Sequence, residues 1–212
     1  MEDSRFEMIV SDHTILGPVT AGMNVLDVGS RNYGFSCPMA ELGCKVVAIE
    51  PDDDVSFPAK PGIHRIFGAL VARGHPFCQD LFKWSSGEGN FLEYSCIAQP
   101  PKSATRQRTC CYSIQEIMKM AAVDYWDIVK LDCEGTEYAI LLDWPGPIAG
   151  QITVEFHDFT GANPEGEETY NEIFAHLGRW YDVVQHKASV RFAANVNNYW
   201  DSLFVLREKA IT

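Results

Sequence analysis

The chain has 212 residues and carries 29 Asp and Glu against 17 Lys and Arg, which gives a formal net charge of −12. This charge would repel a polyanionic backbone, so it argues against a nucleic acid as the partner. No apolar run approaches the ~20 residues that span a bilayer, and the acidic amino terminus lacks the features of a secretory signal, so we expect a cytoplasmic protein with no membrane partner.

Short apolar segments alternate with helical patterns along the chain. The predicted strands, in chain order, cover residues 24–28, 45–50, 127–131, 151–156, 180–185 and 200–206. The predicted helices cover residues 35–42, the turns that follow a Ser113 and Glu116 capping box, and residues 136–142 and 167–178. Such alternation of strands and helices predicts a doubly wound α/β fold, with helices on both faces of a mostly parallel sheet.

One region does not fit this alternation. Residues 72–108 show neither period clearly, and we interpret them as an inserted loop or hairpin within a single domain that spans residues 1–212. Long insertions of this kind often carry function. The last two predicted strands indicate an antiparallel pair at the edge of the sheet.

The first motif that carries chemistry is VLDVGSRNYG, residues 25–34. It places Asp27, Gly29 and Ser30 where an apolar strand ends and a helix follows. In open α/β sheets, ligands bind beyond the carboxyl ends of the strands, and a glycine there lets a ligand approach the backbone. Because Gly29 and Gly34 are five residues apart, the spacing differs from the G-x-G-x-x-G pattern of dinucleotide sites.

The second motif is VVAIEPD, in which Glu50 and Pro51 end the next predicted strand about 20 residues after the glycine turn. An acidic side chain at this distance can accept hydrogen bonds from both hydroxyls of a ribose. Together with Asp27 and Gly29, this position therefore predicts an adenosine-containing ligand.

The third motif is DIVKLDCEGTE, residues 127–137, in which a strand leads into Asp132 and Glu134. With VLDVGSRNYGFS, VVAIEPD and ITVEFHDF, this segment resembles the signature of the FkbM-type methyltransferases. The resemblance covers residues 25–159. The loop after the first strand is one residue longer than the family's D-x-G-A-N-x-G, and residues 72–108 match nothing in the family.

The resemblance implies a Rossmann-like class I methyltransferase fold with seven strands, the last of them antiparallel. It implies S-adenosylmethionine as the cofactor and a hydroxyl oxygen as the methyl acceptor, on a small molecule or a glycan. Asp132 and Glu134 would then lie near the transferred methyl group. We predict that the cofactor-binding residues are Asp27, Gly29, Ser30, Glu50, Pro51 and Asp132.

A hydroxyl group becomes a good nucleophile only when a base removes its proton, and His157 at the end of a predicted strand is the candidate base. With Asp132 and Glu134 it makes up the predicted catalytic set. No metal is required by this scheme. An alternative use of the region is a Mg²⁺ ion held by Asp132 and Asp158, since carboxylate oxygens suit that ion.

Two other functions remain open at this stage. The chain could be a non-catalytic module that binds S-adenosylmethionine or another adenosine ligand for a partner protein. It could also be a nucleotide-sugar or dinucleotide enzyme, although the glycine spacing disfavours that class. The sequence leaves the oligomeric state open.

Overall fold

The computed structural model describes residues 6–85, 92–95, 105–158, 164–186, 190–191 and 198–208. The strands are β1 Phe6–Val10, β2 His13–Gly17, β3 Asn24–Val28, β4 Lys45–Glu50, β5 Ile63–Phe67, β6 Ala69–Leu70, β7 Cys78–Ser85, β8 Leu92–Ser95, β9 Thr105–Tyr112, β10 Trp126–Leu131, β11 Ala149–Asp158, β12 Tyr181–His186, β13 Val190–Arg191 and β14 Asn198–Leu206. The helices are α1 Ser36–Glu41, α2 Ile114–Ala121, α3 Glu137–Leu142 and α4 Pro164–Leu177. Among these helices, none is long and apolar enough to cross a membrane.

The main sheet has the spatial order β5, β4, β3, β10, β11, β14, β12. From β5 to β11 every neighbouring pair is parallel, whereas β14 runs antiparallel to both β11 and β12. This arrangement confirms the predicted α/β sheet of seven strands with an antiparallel last strand. The short strand β13 adds an eighth strand by pairing with β14.

The central strands are apolar on both faces, because the fold covers both. Along β3, Val25 packs on one face with β2 and α1, while Leu26 and Val28 pack on the other. The second face carries α2, α3 and α4. Alternate side chains of a strand point to opposite faces, so a parallel strand that is covered on both faces carries mainly apolar side chains on both.

Local signals mark the ends of two helices, and one of these signals, the capping box before α2, was predicted. Ser113 and Glu116 form a capping box before α2, with the Ser113 hydroxyl accepting from the Glu116 amide and the Glu116 carboxylate accepting from the Ser113 amide. Gly43 follows α1 with a φ of +86°, the left-handed geometry in which helices commonly end.

Strands β1, β2 and β5 are among those that were not predicted. Strands β1 and β2 form a hairpin at the start of the described chain, and the side-chain amide of Gln151 in β11 ties β2 to the sheet by hydrogen bonds to the amide and carbonyl of Leu16 at 2.7 and 2.9 Å. Strand β5 forms the far edge of the main sheet. Each of these strands mixes polar and apolar residues, so its pattern lacks the apolar run that marks a buried strand.

Residues 69–112 contain a second, smaller sheet with the order β6, β9, β7, β8. Strand β9 pairs antiparallel with β7 and parallel with β6, which directly follows β5. The segment that the sequence pattern leaves unassigned therefore contains antiparallel strands, and it lies beside the carboxyl ends of β4 and β5.

Candidate active site

The loop after β3 begins with Gly29, whose φ of +73° belongs to the left-handed region. A Cβ atom added at Gly29 would lie 1.8 Å from the carbonyl oxygen of Asp132, so only glycine fits between β3 and the end of β10. The amides of Gly29 and Ser30 both donate to the carbonyl of Ile49, at 3.0 and 3.2 Å. These contacts fix the loop against the end of β4.

A cavity of about 660 Å³, measured out to its open mouth, lies at the carboxyl ends of β3, β4 and β10. The small sheet forms one wall through Leu70 of β6 and Leu81 of β7. Gln107 of β9 fixes this wall to the main sheet by donating to the carbonyl of Pro51 at 2.9 Å. The sequence-predicted residues that line the cavity are Gly29, Glu50, Pro51, Asp132 and Glu134.

Glu50 is held rigidly at the edge of the cavity. Its Oε1 accepts from the Asp52 amide at 2.8 Å, and its Oε2 accepts from the Arg31 amide at 2.6 Å. The side chain is only 3% exposed, and this burial raises the pKa of Glu50 above its ordinary value, although the two amide hydrogen bonds oppose the shift. The carboxylate is therefore oriented before any ligand arrives.

Two of the residues predicted to bind the cofactor lie outside the lining of the cavity. Within the described part of the chain, neither Asp27 nor Ser30 is among the residues that line the cavity. Asp27 is fully buried and accepts a hydrogen bond from the Ser36 hydroxyl at 2.5 Å, while the Ser30 hydroxyl donates to the carbonyl of Ile49 at 3.2 Å. Direct cofactor contacts from these side chains remain a prediction, and in the structure Asp27 binds the first residue of α1 while Ser30 binds the end of β4.

Lys130 is a buried cation in the middle of this region. Its Nζ donates to the carbonyls of Val28 and Gly29 at 3.1 and 2.8 Å, and it lies 3.4 Å from Oδ1 of Asp27 and 3.1 Å from Oδ2 of Asp132. Burial raises the pKa of Asp132, but the Lys130 ammonium and the neighbouring imidazoles outweigh it and hold this pKa well below its usual range. Asp132 is therefore ionised at the cavity edge.

Next to the cavity, the structure brings Asp132, Glu134 and His157 close together. Nε2 of His157 lies 3.8 Å from Oδ1 of Asp132 and 3.6 Å from Oε2 of Glu134. Glu155, two residues earlier on β11, places Oε1 3.7 Å from the same nitrogen. His13 of β2 also approaches Asp132, with Nε2 at 3.9 Å from Oδ2.

The other ring nitrogen of His157 is fixed from behind. Nδ1 lies 3.1 Å from Oε1 of Glu137, the first residue of α3, which is fully buried. The Glu137 carboxylate also accepts from the amides of Cys133 and Gly135, at 2.6 and 2.8 Å. Because these contacts make Glu137 an acceptor, we infer that Nδ1 of His157 carries a proton and Nε2 faces the carboxylates.

The environment of His157 does not suit the general base predicted from the sequence. Burial lowers the pKa of the His157 imidazole, but the carboxylates of Glu134 and Glu137 outweigh that effect and raise it well above its ordinary value. A raised pKa makes the imidazole harder to deprotonate and so less suited to accept a proton from a substrate hydroxyl. Burial and the nearby Asp132 instead raise the pKa of Glu155, to about 7.

Sequence reasoning missed several members of the site. Lys130 was detectable, since a lone lysine within the apolar strand WDIVKL requires a buried anionic partner. Glu137 and Glu155 gave weaker signals, because each lies in a helix or strand with an ordinary pattern. His13, Leu81 and Gln107 belong to strands that were not predicted.

The structure does not test the pair of magnesium ligands predicted from the sequence, Asp132 and Asp158. Asp132 lies where an ion could reach it, whereas the side chain of Asp158 lies outside the described residues. That ligand pair remains a prediction.

The sequence profile of a family described as "Methyltransferase domain" matches residues 94–205, which is more than half of the chain. The chain belongs to this methyltransferase family. The match includes β10, β11 and the segment from Asp132 to His157, while the Gly29 and Glu50 motifs precede it. No curated protein sequence matches the methyltransferase.

Solved structures resemble the methyltransferase in fold. Fibrillarin from Methanococcus jannaschii, a pre-rRNA processing protein, is 11% identical with a TM-score of 0.51, and the alignment covers 96% of this chain and 83% of fibrillarin. Fibrillarin from Aeropyrum pernix, solved with natively bound S-adenosylmethionine, is 10% identical with a TM-score of 0.50 and coverages of 95% and 83%. A Streptococcus thermophilus protein named as a candidate hemolysin is 12% identical with a TM-score of 0.50, over 90% of this chain.

The methyltransferase spans 62% of the length of that Streptococcus protein. At these identities the likeness shows the fold alone, and that fold is the Rossmann-like class I methyltransferase fold expected from the sequence. The family match and the sheet order together confirm that the chain is a class I methyltransferase domain. The narrower FkbM assignment remains a prediction.

Proposed function

We propose that this domain binds S-adenosylmethionine in the cavity between the glycine loop and the small sheet. In this proposal it transfers the methyl group to a hydroxyl oxygen of a small molecule or glycan, as FkbM-type enzymes do. Glu50 would hold the ribose, Gly29 would allow the cofactor to approach the backbone, and Asp132 and Glu134 would lie beside the methyl donor.

The observation that carries the cofactor proposal is the geometry of Glu50. The Arg31 and Asp52 amides use one acceptor position on each oxygen. A carboxylate oxygen can accept a second hydrogen bond, so both oxygens can still bind the two adjacent hydroxyls of a ribose. Because the carboxylate is already oriented, little conformational entropy is lost on binding.

The charge of the cavity also favours this cofactor. Glu50, Asp132 and Glu134 lie along its lining, with Arg31 as the cation of that lining. A sulfonium with an amino group is cationic and suits this acidic surface, whereas the diphosphate of a dinucleotide would be repelled by it. The fibrillarin from Aeropyrum pernix, which shares the fold, binds S-adenosylmethionine natively and supports the proposal by analogy.

Methyl transfer requires the acceptor oxygen, the methyl carbon and the sulfur to lie in line, so positioning supplies much of the catalysis. Asp132 lies at the cavity edge and is held by Lys130 at 3.1 Å. An ionised, immobile carboxylate there can stabilise the positive sulfonium and orient a polar acceptor. The formal charge of −12 supports a small molecule or glycan over a nucleic acid as the acceptor.

The test is transfer of tritium from S-adenosylmethionine labelled in its methyl group. The purified protein is incubated with a panel of hydroxylated small molecules and oligosaccharides, next to amine and RNA panels. We expect label in a hydroxyl compound. Label only in amines or RNA would contradict the acceptor assignment. Cofactor binding without transfer to any panel would indicate a non-catalytic module, and displacement of the cofactor by NAD would favour a dinucleotide enzyme.

A further inference from the structure

Two cysteines lie directly opposite each other in the small sheet. In the antiparallel register of β7 and β9, Cys78 is paired with Cys110. The amide of Cys111 donates to the carbonyl of Phe77 at 2.7 Å, which makes Phe77 and Cys111 a hydrogen-bonded pair. Hydrogen-bonded and non-hydrogen-bonded pairs alternate along an antiparallel ladder, so Cys78 and Cys110 form a non-hydrogen-bonded pair.

A non-hydrogen-bonded pair suits a disulfide. The Cα atoms of such a pair lie about 4.5 Å apart, and disulfides usually join Cα atoms that are about 4.4–6.8 Å apart. Opposite residues of an antiparallel pair also direct their side chains to the same face of the sheet. Cys78 and Cys110 are both free thiols in the structure, and a bond between them would need little movement of the backbone.

The environment of Tyr112 gives separate support for the proximity of the two thiols. Tyr112 follows Cys110 by two residues in β9, so both side chains point to the same face. Burial raises the pKa of Tyr112, and the Cys110 and Cys78 thiols add to this increase. An electrostatic effect of this kind weakens with distance, so both sulfur atoms lie near the same phenol hydroxyl.

The two thiols lie on the face of the small sheet that is open to solvent. Leu81, three residues after Cys78, lines the cavity and therefore points to the other face. Thr109 and Cys111 are buried on that same cavity side. Cys78 and Cys110 are each partly exposed, so a small molecule in solution can reach them without entering the cofactor cavity.

We propose that Cys78 and Cys110 are a modification site at which a small-molecule disulfide, such as glutathione disulfide, forms a reversible cross-strand disulfide. One cysteine thiolate attacks a sulfur of glutathione disulfide, which forms a mixed disulfide and releases a glutathione thiolate. The other cysteine thiolate then attacks the protein sulfur of the mixed disulfide, and a second glutathione thiolate leaves. The protons of the two cysteines pass through solvent to the released thiolates, so both cysteines are oxidised and glutathione disulfide is reduced.

The bond would link two strands that form the wall of the cofactor cavity. Leu81 of β7 lines the cavity, and Gln107 of β9 fixes the wall to the main sheet through the carbonyl of Pro51. A disulfide would therefore join these strands covalently from the solvent side. This inference goes beyond the proposed methyl transfer and does not depend on it.

The test is treatment of the folded, full-length protein with glutathione disulfide, followed by blocking of the remaining thiols with N-ethylmaleimide and digestion with trypsin. Cleavage after lysine and arginine places Cys78 in the peptide 74–83 and Cys110 in the peptide 109–119. We expect mass spectrometry to find these two peptides linked, and dithiothreitol to separate them. Cys37→Ser removes a partly exposed thiol from α1, and this control should give the same linked peptides as the wild type.

Because the peptide 109–119 also contains Cys111, two variants assign the bond. Cys110→Ser should lose the linked peptides, whereas Cys111→Ala should retain them. Thermal unfolding shows whether each variant is folded, and the partly exposed Cys110 keeps the test decisive if the buried Cys111→Ala variant unfolds.

Three results would overturn the proposal. These are a wild type without the linked peptides, a folded Cys110→Ser variant that still contains them, and glutathione that stays attached to Cys78 or Cys110 as a mixed disulfide. S-adenosylmethionine binding, measured separately on the reduced protein, distinguishes failure of this site from failure of the proposed function.

Discussion

Substitution of Glu50 by glutamine removes one charge from the cavity while keeping the side chain's shape. Both oxygens of Glu50 accept backbone amides, at 2.6 and 2.8 Å, so the NH₂ of a glutamine would face one of two N–H donors. A ribose would then lose charge-assisted hydrogen bonds, which contribute about 1.5–3 kcal/mol each. For two hydroxyls we expect a loss of at least about 3 kcal/mol, or about a hundredfold in Kd.

Calorimetric titration of S-adenosylmethionine and S-adenosylhomocysteine into the wild type and Glu50→Gln measures this loss. Glu41→Gln removes the same charge from the exposed face of α1 and should leave both affinities unchanged. A Glu50→Gln variant that is folded and binds within threefold of the wild type would refute the ribose assignment.

Three further predictions concern the same region. Gly29→Ala should lower the free energy of unfolding, measured in urea, by about 3 kcal/mol or more, because the added Cβ would lie 1.8 Å from a carbonyl oxygen. The control Gly74→Ala should lower it by only about 1 kcal/mol, because Gly74 has a φ of +82° but no atom within 4 Å of the added Cβ. Lys130→Met should lower the free energy of unfolding in the same assay by about 3–5 kcal/mol, because it leaves buried carboxylates without their cation. Adding Asp27→Asn should restore part of this stability. A loss under about 1 kcal/mol would contradict the buried ion pair. The affinity for S-adenosylmethionine should fall as the pH falls through the pKa of Glu50. Because burial raises that pKa, the fall should begin at a pH above the ordinary glutamate range. Calorimetry should find no such fall in Glu50→Gln.

The central sheet was predictable because its strands are buried on both faces. Segments such as residues 24–28 and 45–50 are nearly continuous apolar runs, and they end in the acidic and glycine residues that line the cavity. Gly29 and Glu50 were identified for the same reason, since the carboxyl ends of parallel strands meet at one edge. Their positions at the strand ends could therefore be predicted from the local sequence pattern alone.

The remaining site residues depend on contacts between distant segments. His13 lies on β2, and its approach to Asp132 depends on the hairpin turn at Ser11 and Asp12, both of which have positive φ. Lys130 shows the same limit, because its sequence position indicates a buried cation but not which carboxylates it pairs with. The wall formed by the small sheet follows from long-range strand pairing that residues 72–108 do not reveal by period.

Electrostatic effects within the fold disfavour His157 as the predicted base. The sequence shows a histidine at a strand end, which is a fair candidate for a base. Only the fold surrounds it with carboxylates from distant parts of the chain. These are Glu134 from the loop between β10 and α3, Glu137 from α3 and Glu155 from β11. Their combined charge raises the pKa of the imidazole, and this effect depends on the fold rather than on the local sequence pattern.

The central claim is that S-adenosylmethionine binds between the glycine loop and the small sheet. The most direct measurement is a crystal structure of the protein with S-adenosylhomocysteine. The account predicts both ribose hydroxyls within hydrogen-bond distance of the Glu50 carboxylate and the sulfur on the side of Asp132 and Glu134. A ligand bound elsewhere, or a ribose directed away from Glu50, would contradict it.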